Sequence, residues 1–155
     1  MNKEEIINTS LNWIKQNKLQ ISSEDLTKPW GAFWCIDKKN LTHFLSLFFP
    51  NNKSEQHNIN PKILLIEANK KISLQFHHKR AEQWKIIKGP VKVIIDQKEK
   101  ILNQGEEVYI KAKSVHRLCG LDNYGLVAEI WIHNNPLSPS NENDIVRITD
   151  DFGRN

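Results

Sequence analysis

Apolar residues recur every three or four positions in two segments of the chain, which is the spacing of an amphipathic α-helix. In the first segment, residues 4–18, these positions are Ile6, Ile7, Leu11 and Ile14. The polar run at residues 22–25 predicts a turn after this helix. In the second segment, residues 41–49, one face carries Leu41, Phe44, Leu45 and Phe48, with Asn40 as a cap and Pro50 as a stop. The pattern predicts two helices, both as packing elements.

Beyond Pro61 the hydrophobic pattern changes to short runs that are typical of β-strands. These runs cover residues 62–68, 71–77, 82–89, 91–96, 106–112 and 126–133, and turns containing Gly, Pro, Asn or Lys separate them. Their spacing is that of an all-β sandwich or barrel. Residues 51–60 are polar and predict a surface loop, and residues 134–155 form a polar, acidic tail.

Composition narrows the class of protein. The chain has 155 residues, of which 39% are hydrophobic and 26% charged, a net charge of +4 and two cysteines, Cys35 and Cys119, in no paired motif. This describes one domain of ordinary size with reduced thiols, so we expect a cytoplasmic protein. The most apolar stretch is far below the ~20 residues of a membrane span, so we expect no membrane partner. Only four of the 22 basic residues are arginine and the lysines are scattered, which argues against nucleic acid.

The candidate chemistry lies in the β region, where potential metal ligands cluster. Alternate residues of a strand share a face, so Gln75 and His77 point to one side, and Glu82 returns on the next strand after a tight loop. A second segment adds His116 after a turn. Two imidazoles, a carboxylate and an amide oxygen form a mixed site that suits Zn²⁺, Mn²⁺, Fe²⁺, Co²⁺ or Ni²⁺. Alone, each histidine would more often be structural; together they predict one divalent metal ion.

These residues resemble the two motifs of the cupin superfamily. The first has the spacing Gln75-x-His77-x4-Glu82-x6-Gly89 and the second Gly105-x5-Lys111-x-Lys113-x2-His116. The similarity is closer to the isomerase domain of type II phosphomannose isomerases, and three segments carry it in order: residues 28–31 (KPWG), 74–84 (LQFHHKRAEQW) and 144–154 (DIVRITDDFGR). The resemblance implies an all-β cupin double-stranded β-helix, or jelly roll, over residues 28–155. Residues 1–27 would be an N-terminal helical extension.

The resemblance also implies an activity. We expect a metal-dependent aldose–ketose isomerase of a sugar phosphate, which converts mannose 6-phosphate to fructose 6-phosphate with Zn²⁺ as the first choice of metal. A homodimer is expected because related cupins commonly pair. The alternatives are a non-catalytic sugar-binding cupin, an isomerase of another hexose or heptose phosphate, or a metal-dependent oxygenase. The nucleotide-binding domain of many type II enzymes has no counterpart in these residues, so we expect no guanylyltransferase activity from them.

Several further residues are candidates for the site. Arg80 is expected at the cavity mouth, where it could clamp phosphate or stabilise an enediolate, and Trp84 is expected at the cavity by strand parity. Glu129 could face the interior or pair with a surface lysine. The general base stays open between Glu129, a metal-bound hydroxide and a lysine such as Lys79. The remaining candidates for substrate binding are Lys79, Arg147 and Arg154, although both arginines could instead neutralise the acidic tail.

The chain also departs from the family pattern. Asn69, Lys111, Lys113 and Gly120 stand at turn positions where the cupin motifs usually carry other residues, and none of these positions is a ligand. The segment 32–61 is longer than in the family and includes the second predicted helix. Its role is left open.

Overall fold

In a computed structural model, which describes residues 1–154, the chain forms two antiparallel β-sheets and two α-helices. The helices are α1 (Lys3–Gln16) and α2 (Leu41–Phe48). Along one sheet lie β1 (Ile21–Asp25), β2 (Gly31–Ile36), β3 (Ile59–Ile66), β10 (Gly125–His133), β5 (Arg80–Lys88) and β8 (Glu107–Ile110). Along the other lie β11 (Val146–Thr149), β4 (Leu74–Phe76), β9 (His116–Gly120), β6 (Val91–Ile95) and β7 (Lys98–Leu102). The predicted all-β class is confirmed.

The two sheets enclose one hydrophobic core, and the helices close a second core on the outside of the six-stranded sheet. Strand parity separates them: Leu64 and Ile66 of β3 belong to the inner core, whereas Ile63 and Leu65 belong to the outer one. The inner core includes residues of both sheets, among them Trp84, Ile86, Val93, Leu118 and Val127. A strand buried on both faces loses polar alternation, which explains the continuous apolar run of β3.

Both predicted helices are present, close to their expected bounds. Asn2 and Glu5 form a capping box that satisfies free N–H groups at the start of α1. The buried face of α1 includes Ile6 and Ile14, which pack in the outer core together with the α2 residues Leu41, Phe44, Leu45 and Phe48. Neither helix is long and apolar enough to cross a membrane, within the residues described.

Five strands were not expected from the sequence, namely β1, β2, β7, β9 and β11, and three of these, β1, β7 and β11, lie at sheet edges. The turn expected at residues 22–25 is part of strand β1, which pairs with β2, so the segment 1–27 ends in a strand and is not wholly helical. Strand β7 was not expected because four of its five side chains are exposed, as in a solvent-facing hairpin arm. Strand β11 lies in the C-terminal tail and was not expected because the surrounding residues are mostly polar. Exposed edge strands need no apolar face, so their sequences carry little pattern.

The long segment 32–61 contributes packing. It contains most of β2, which lies between β1 and β3, and all of α2. Phe44 is fully buried, and its ring makes an edge-to-face contact with Phe48 at 4.9 Å between centroids. The segment therefore covers the outer face of the sheet that carries much of the candidate site on its inner face.

Candidate metal centre and cavity

A cavity of about 520 Å³ opens between the two sheets, beside the loop that joins β4 to β5. Directly opposite residues on antiparallel strands share a face, so the pairing register shows which side chains meet there. On the six-stranded sheet one row is Lys62–Glu129–Trp84, and the next contains Trp131 and Glu82. On the five-stranded sheet the row is Arg147–Gln75–His116. The sheets thus present carboxylates, imidazole and basic groups to the same space.

Three of the four predicted metal ligands converge. One ligand atom each from His77, Glu82 and His116 lies within 4.8 Å of the others, and all three residues are buried. The Nε2 atoms of His77 and His116 are 3.6 and 3.3 Å from the two carboxylate oxygens of Glu82. Two imidazole nitrogens and a carboxylate at such distances are a donor set suited to a divalent transition metal ion.

Hydrogen bonds fix both imidazoles with Nε2 directed at this cluster. His77 Nδ1 donates to the backbone oxygen of Asp144 at 2.7 Å, and His116 Nδ1 donates to that of Ser114 at 2.8 Å. An imidazole that donates through Nδ1 keeps a lone pair on Nε2, which is the arrangement found in metal-binding histidines. His116 Nε2 is buried without a hydrogen-bond partner in the structure. The residues therefore fit a metal ion.

The electrostatics of the cluster also favour a positive charge at its centre. Burial alone would lower the pKa of His116, but the adjacent Glu82 carboxylate raises it above its ordinary value. Burial alone would raise the pKa of Glu82, but the charge of Arg80 and the neighbouring His116 hold it well below its usual range. Burial lowers the pKa of His77 to about 4 despite the opposing charge of Glu82. Glu82 stays ionised and His77 neutral, as metal ligands must be, whereas His116 must release the proton that Glu82 favours before it can bind a metal.

The fourth predicted ligand, Gln75, lies beside the cluster. Its Nε2 donates to His77 Nε2 at 3.3 Å, while its Oε1 accepts a hydrogen bond from the Ser73 hydroxyl at 2.7 Å. The amide oxygen is thus occupied by Ser73 in this structure. The three-residue cluster is the part of the prediction that the geometry supports.

Arg80 lies deeper than expected. It is buried rather than at the cavity mouth, because its guanidinium stacks on the Trp131 ring at 3.5 Å from the centroid. Its Nε donates to Glu82 at 3.1 Å and its Nη1 to the Ser140 hydroxyl at 2.9 Å. Arg80 still lines the cavity. Its immediate effect is to hold the Glu82 carboxylate in place and ionised.

Glu129 faces the interior, which resolves the alternative left open by the sequence. Its two carboxylate oxygens accept hydrogen bonds from the indole N–H groups of Trp84 and Trp131, both at 2.8 Å. Burial, together with the negative charge of Glu82, raises the pKa of Glu129 to about 7. The cavity therefore contains a carboxyl group that can exchange a proton near neutral pH.

The other candidates divide between the cavity and the surface. Trp84, Arg147 and Arg154 line the cavity. The Arg154 guanidinium also makes two 2.9 Å hydrogen bonds to the Asp150 carboxylate, so one of its expected roles, neutralising the tail, is present. The expected role of Lys79 in substrate binding is not supported. Its side chain is exposed, its ammonium contacts the Ser138 hydroxyl at 3.2 Å, and it is not among the residues that line the cavity.

Two residues that support the site were missed from the sequence. Lys62 is buried and lies on the cavity wall. It was missed because it directly precedes an apolar run, and a lysine at that position is usually the exposed end of a strand. Asp144 anchors the β4–β5 loop, because its carboxylate accepts hydrogen bonds from the backbone N–H groups of His78 and Lys79 at 2.9 and 3.0 Å. The only sequence signal for Asp144 was its position in the third motif.

Comparison with curated proteins finds relatives along most of the chain. Mannose-1-phosphate guanylyltransferase of Escherichia coli (strain K12) is 29% identical over 130 residues, which are 84% of this chain and 23% of that protein. The protein of the same name from Salmonella montevideo is 32% identical over 135 residues, 87% of this chain and 24% of that protein. The chain thus spans about a quarter of the length of these curated relatives.

Comparison with solved structures supports the fold. The structure of KdgF from Halomonas sp. superposes with a TM-score of 0.54 and 11% sequence identity, covering 78% of this chain and 89% of that one. At this identity the likeness concerns the fold alone. Together with the two-sheet topology, this likeness supports the predicted fold of two packed β-sheets.

The family assignment follows from a match along the chain itself. The sequence profile described as "Mannose-6-phosphate isomerase C-terminal" matches residues 15–150, which include α2, both sheets and the metal cluster. The chain therefore belongs to the mannose-6-phosphate isomerase C-terminal family.

Proposed function

We propose that this protein is a metal-dependent sugar-phosphate isomerase that interconverts mannose 6-phosphate and fructose 6-phosphate. The observation that carries the proposal is the cavity in which the three-residue metal cluster, a carboxyl group with a pKa near neutrality and several basic side chains occur together. Membership of the family supports the choice of sugar phosphate. The chemistry of the reaction gives each of these groups a task.

His77, Glu82 and His116 would hold the metal ion, and Zn²⁺ suits two imidazoles and a carboxylate. A bound metal ion would supply a Lewis acid to polarise the sugar oxygens. Arg80 keeps Glu82 ionised and oriented through its 3.1 Å hydrogen bond. Three protein ligands would leave the metal able to bind a substrate oxygen.

Glu129 is the base in this proposal. Isomerisation removes the proton from C2 of the aldose and delivers it to C1, while the O2 hydroxyl proton passes to O1, so the overall formula is unchanged. A carboxylate with a pKa of about 7 can both take and return a carbon-bound proton at neutral pH. Hydrogen bonds from Trp84 and Trp131 hold its two oxygens in a fixed orientation. Lys79, the lysine considered from the sequence, lies away from the cavity.

Basic groups would attract the phosphorylated substrate. Arg147 and Arg154 line the cavity and contribute positive potential, and the Trp84 ring lies against His116, with 5.6 Å between ring centroids, at the wall of the site. The same features would serve an isomerase of another hexose or heptose phosphate. A non-catalytic sugar-binding cupin would need the basic groups but not the strongly perturbed Glu129.

A panel of aldose and ketose phosphates, assayed with metal-reconstituted protein, tests the proposal. We expect interconversion of mannose 6-phosphate and fructose 6-phosphate to exceed turnover of the other sugars. Preferential conversion of a different hexose or heptose phosphate would show that the protein is an isomerase of that sugar phosphate instead. Binding without turnover of any sugar phosphate would favour the non-catalytic alternative.

A further inference from the structure

Lys62 is an unusual lysine because its charged group is buried in the cavity wall. It projects from the inner face of β3, directly opposite Glu129 of β10, and its side chain is 7% exposed. The ammonium lies 4.1 Å from the centroid of the Phe33 ring and 4.4 Å from that of the Trp131 ring. Cation–π contacts with two rings fix the position of the charge.

The counter-ion of Lys62 comes from the segment between β10 and β11. Glu142 accepts a hydrogen bond from the ammonium at 2.6 Å. Its side chain is 58% exposed, whereas that of Lys62 is 7% exposed. A buried ammonium is costly without an anion, but an exposed carboxylate loses little when it returns to water. The Lys62 ammonium is therefore fixed in place, whereas the Glu142 carboxylate can be replaced by another anion.

Two arginines of the cavity lack this asymmetry. Arg80 pairs with Glu82, which is buried, and Arg154 pairs with Asp150, whose side chain is 3% exposed. A substrate anion that displaced either carboxylate would leave a buried negative charge without its partner. Displacing Glu142 carries no such penalty.

The Lys62–Glu142 pair also lies at a boundary between two cavities. A second cavity, of about 510 Å³, adjoins the first and shares Lys62, Trp131 and Glu142 with it. Rotation of the exposed Glu142 side chain would open the ammonium to an anion that enters from either side, without any movement of the strands.

We infer that Lys62 is the residue that binds the phosphate group of the substrate, and that Glu142 occupies this anion site until the phosphate displaces it. The choice of a phosphorylated sugar rests on the proposed function, whereas the anion site itself does not. A phosphate group accepts strong charge-assisted hydrogen bonds from an ammonium. Glu142 thus competes with the phosphate for Lys62.

Titration calorimetry of the metal-loaded protein with inorganic phosphate tests this inference. Glu142→Gln removes the competing charge and should tighten phosphate binding roughly fivefold. Lys62→Met keeps the apolar stem but removes the ammonium, and should weaken binding at least about tenfold. In the double variant, phosphate affinity should equal that of Lys62→Met alone, because Glu142→Gln can act only through Lys62. With mannose 6-phosphate as substrate, Glu142→Gln should lower KM, and unphosphorylated mannose should show no difference in binding between the variants.

Glu99→Gln is the matched control, because Glu99 pairs with Lys92 at 3.8 Å on the surface and its loss changes the net charge equally. Metal content is measured in every variant. The inference is wrong if Glu142→Gln behaves like Glu99→Gln, if its gain persists without Lys62, or if neither the wild type nor Glu142→Gln binds phosphate. If phosphate binding follows the expected order but no sugar phosphate is isomerised, only the proposed function fails.

Discussion

At the scale of single residues, two carboxyl groups in one cavity are tuned in opposite directions. Glu82 faces Arg80 and the two imidazoles, which keep it ionised and hold its pKa low even though burial opposes this. Glu129 accepts hydrogen bonds from two neutral indole groups, and burial and the charge of Glu82 raise its pKa to about 7 although the charges of Lys62 and Arg80 oppose this. Opposite environments for two acids are the usual way in which a site separates a permanent charge from a proton carrier.

The role of Glu129 predicts a pH dependence. The base must be deprotonated, and protonation is favoured below its pKa, so kcat should rise with pH around a midpoint near 7. Glu129→Gln should lower kcat by roughly 10²-fold or more and remove this rise, with metal content unchanged. The measurement is a pH profile of sugar-phosphate isomerisation, with Glu99→Gln as control. An unchanged profile in Glu129→Gln would assign the base elsewhere.

Asp144 is expected to act on the metal site through the loop that it anchors. Its carboxylate holds the backbone of His78 and Lys79 and accepts a 2.6 Å hydrogen bond from Ser140, while its backbone oxygen orients His77. Asp144→Asn replaces one acceptor oxygen with a donor, so it should weaken Zn²⁺ affinity by roughly 10- to 100-fold. Competition with a chelating indicator measures this affinity. The exposed Asp122→Asn is the control, and equal affinities would show that the loop needs no anchor.

At the scale of elements, local segments revealed much of the site and long-range contacts completed it. Gln75, His77 and Glu82 lie within one short segment that runs from β4 through a loop into β5 of the other sheet, so spacing and strand parity were enough to bring them together. Asp144 contacts that loop across 65 to 67 positions of sequence, a relation that no periodicity encodes. The depth of Arg80 depends on stacking against Trp131 of another strand. Strand parity predicts the side of the sheet to which a side chain points, but how deeply the side chain is buried depends on tertiary packing.

The helix α1 offers a prediction about how the N-terminal segment is integrated. Ile14 is fully buried in the outer core, so Ile14→Ala should lower the free energy of unfolding by about 2–5 kcal/mol. Unfolding in urea should remain one cooperative transition, because α1 shares its core with β2 and α2. Thr9→Ala, at an exposed position of the same helix, should change stability by less than about 0.5 kcal/mol. Two separate transitions would instead support an independent extension over residues 1–27.

At the scale of the whole molecule, the sandwich gives each face of the six-stranded sheet a different task. The outer face packs on the helices, and the inner face contributes Lys62, Glu82, Trp84, Glu129 and Trp131 to the cavity. A rigid sheet paired on both sides of β10 is suited to hold catalytic groups within a fraction of an ångström. The cytoplasmic location expected from the sequence stays a prediction.

The homodimer also stays a prediction. The exposed apolar side chains include Ile101, Tyr109, Ile148 and Phe152, which lie in or beside edge strands of the two sheets. Edge strands and exposed apolar groups are common elements of subunit contacts. Sedimentation velocity at micromolar concentrations should detect a species of twice 18.1 kDa. A single 18.1 kDa species across that range would exclude the dimer.

The most direct test of the central claim follows proton transfer itself. Metal-reconstituted protein is incubated with mannose 6-phosphate in D₂O, and ¹H NMR records both fructose 6-phosphate and deuterium at C1 and C2. We predict formation of the ketose with deuterium incorporation, because a carboxylate base exchanges its proton with solvent between steps. Glu129→Gln and the combined His77→Ala and His116→Ala variant should show neither. Full metal loading of the wild type with no isomerisation and no exchange would contradict the assignment of this cavity as an isomerase site.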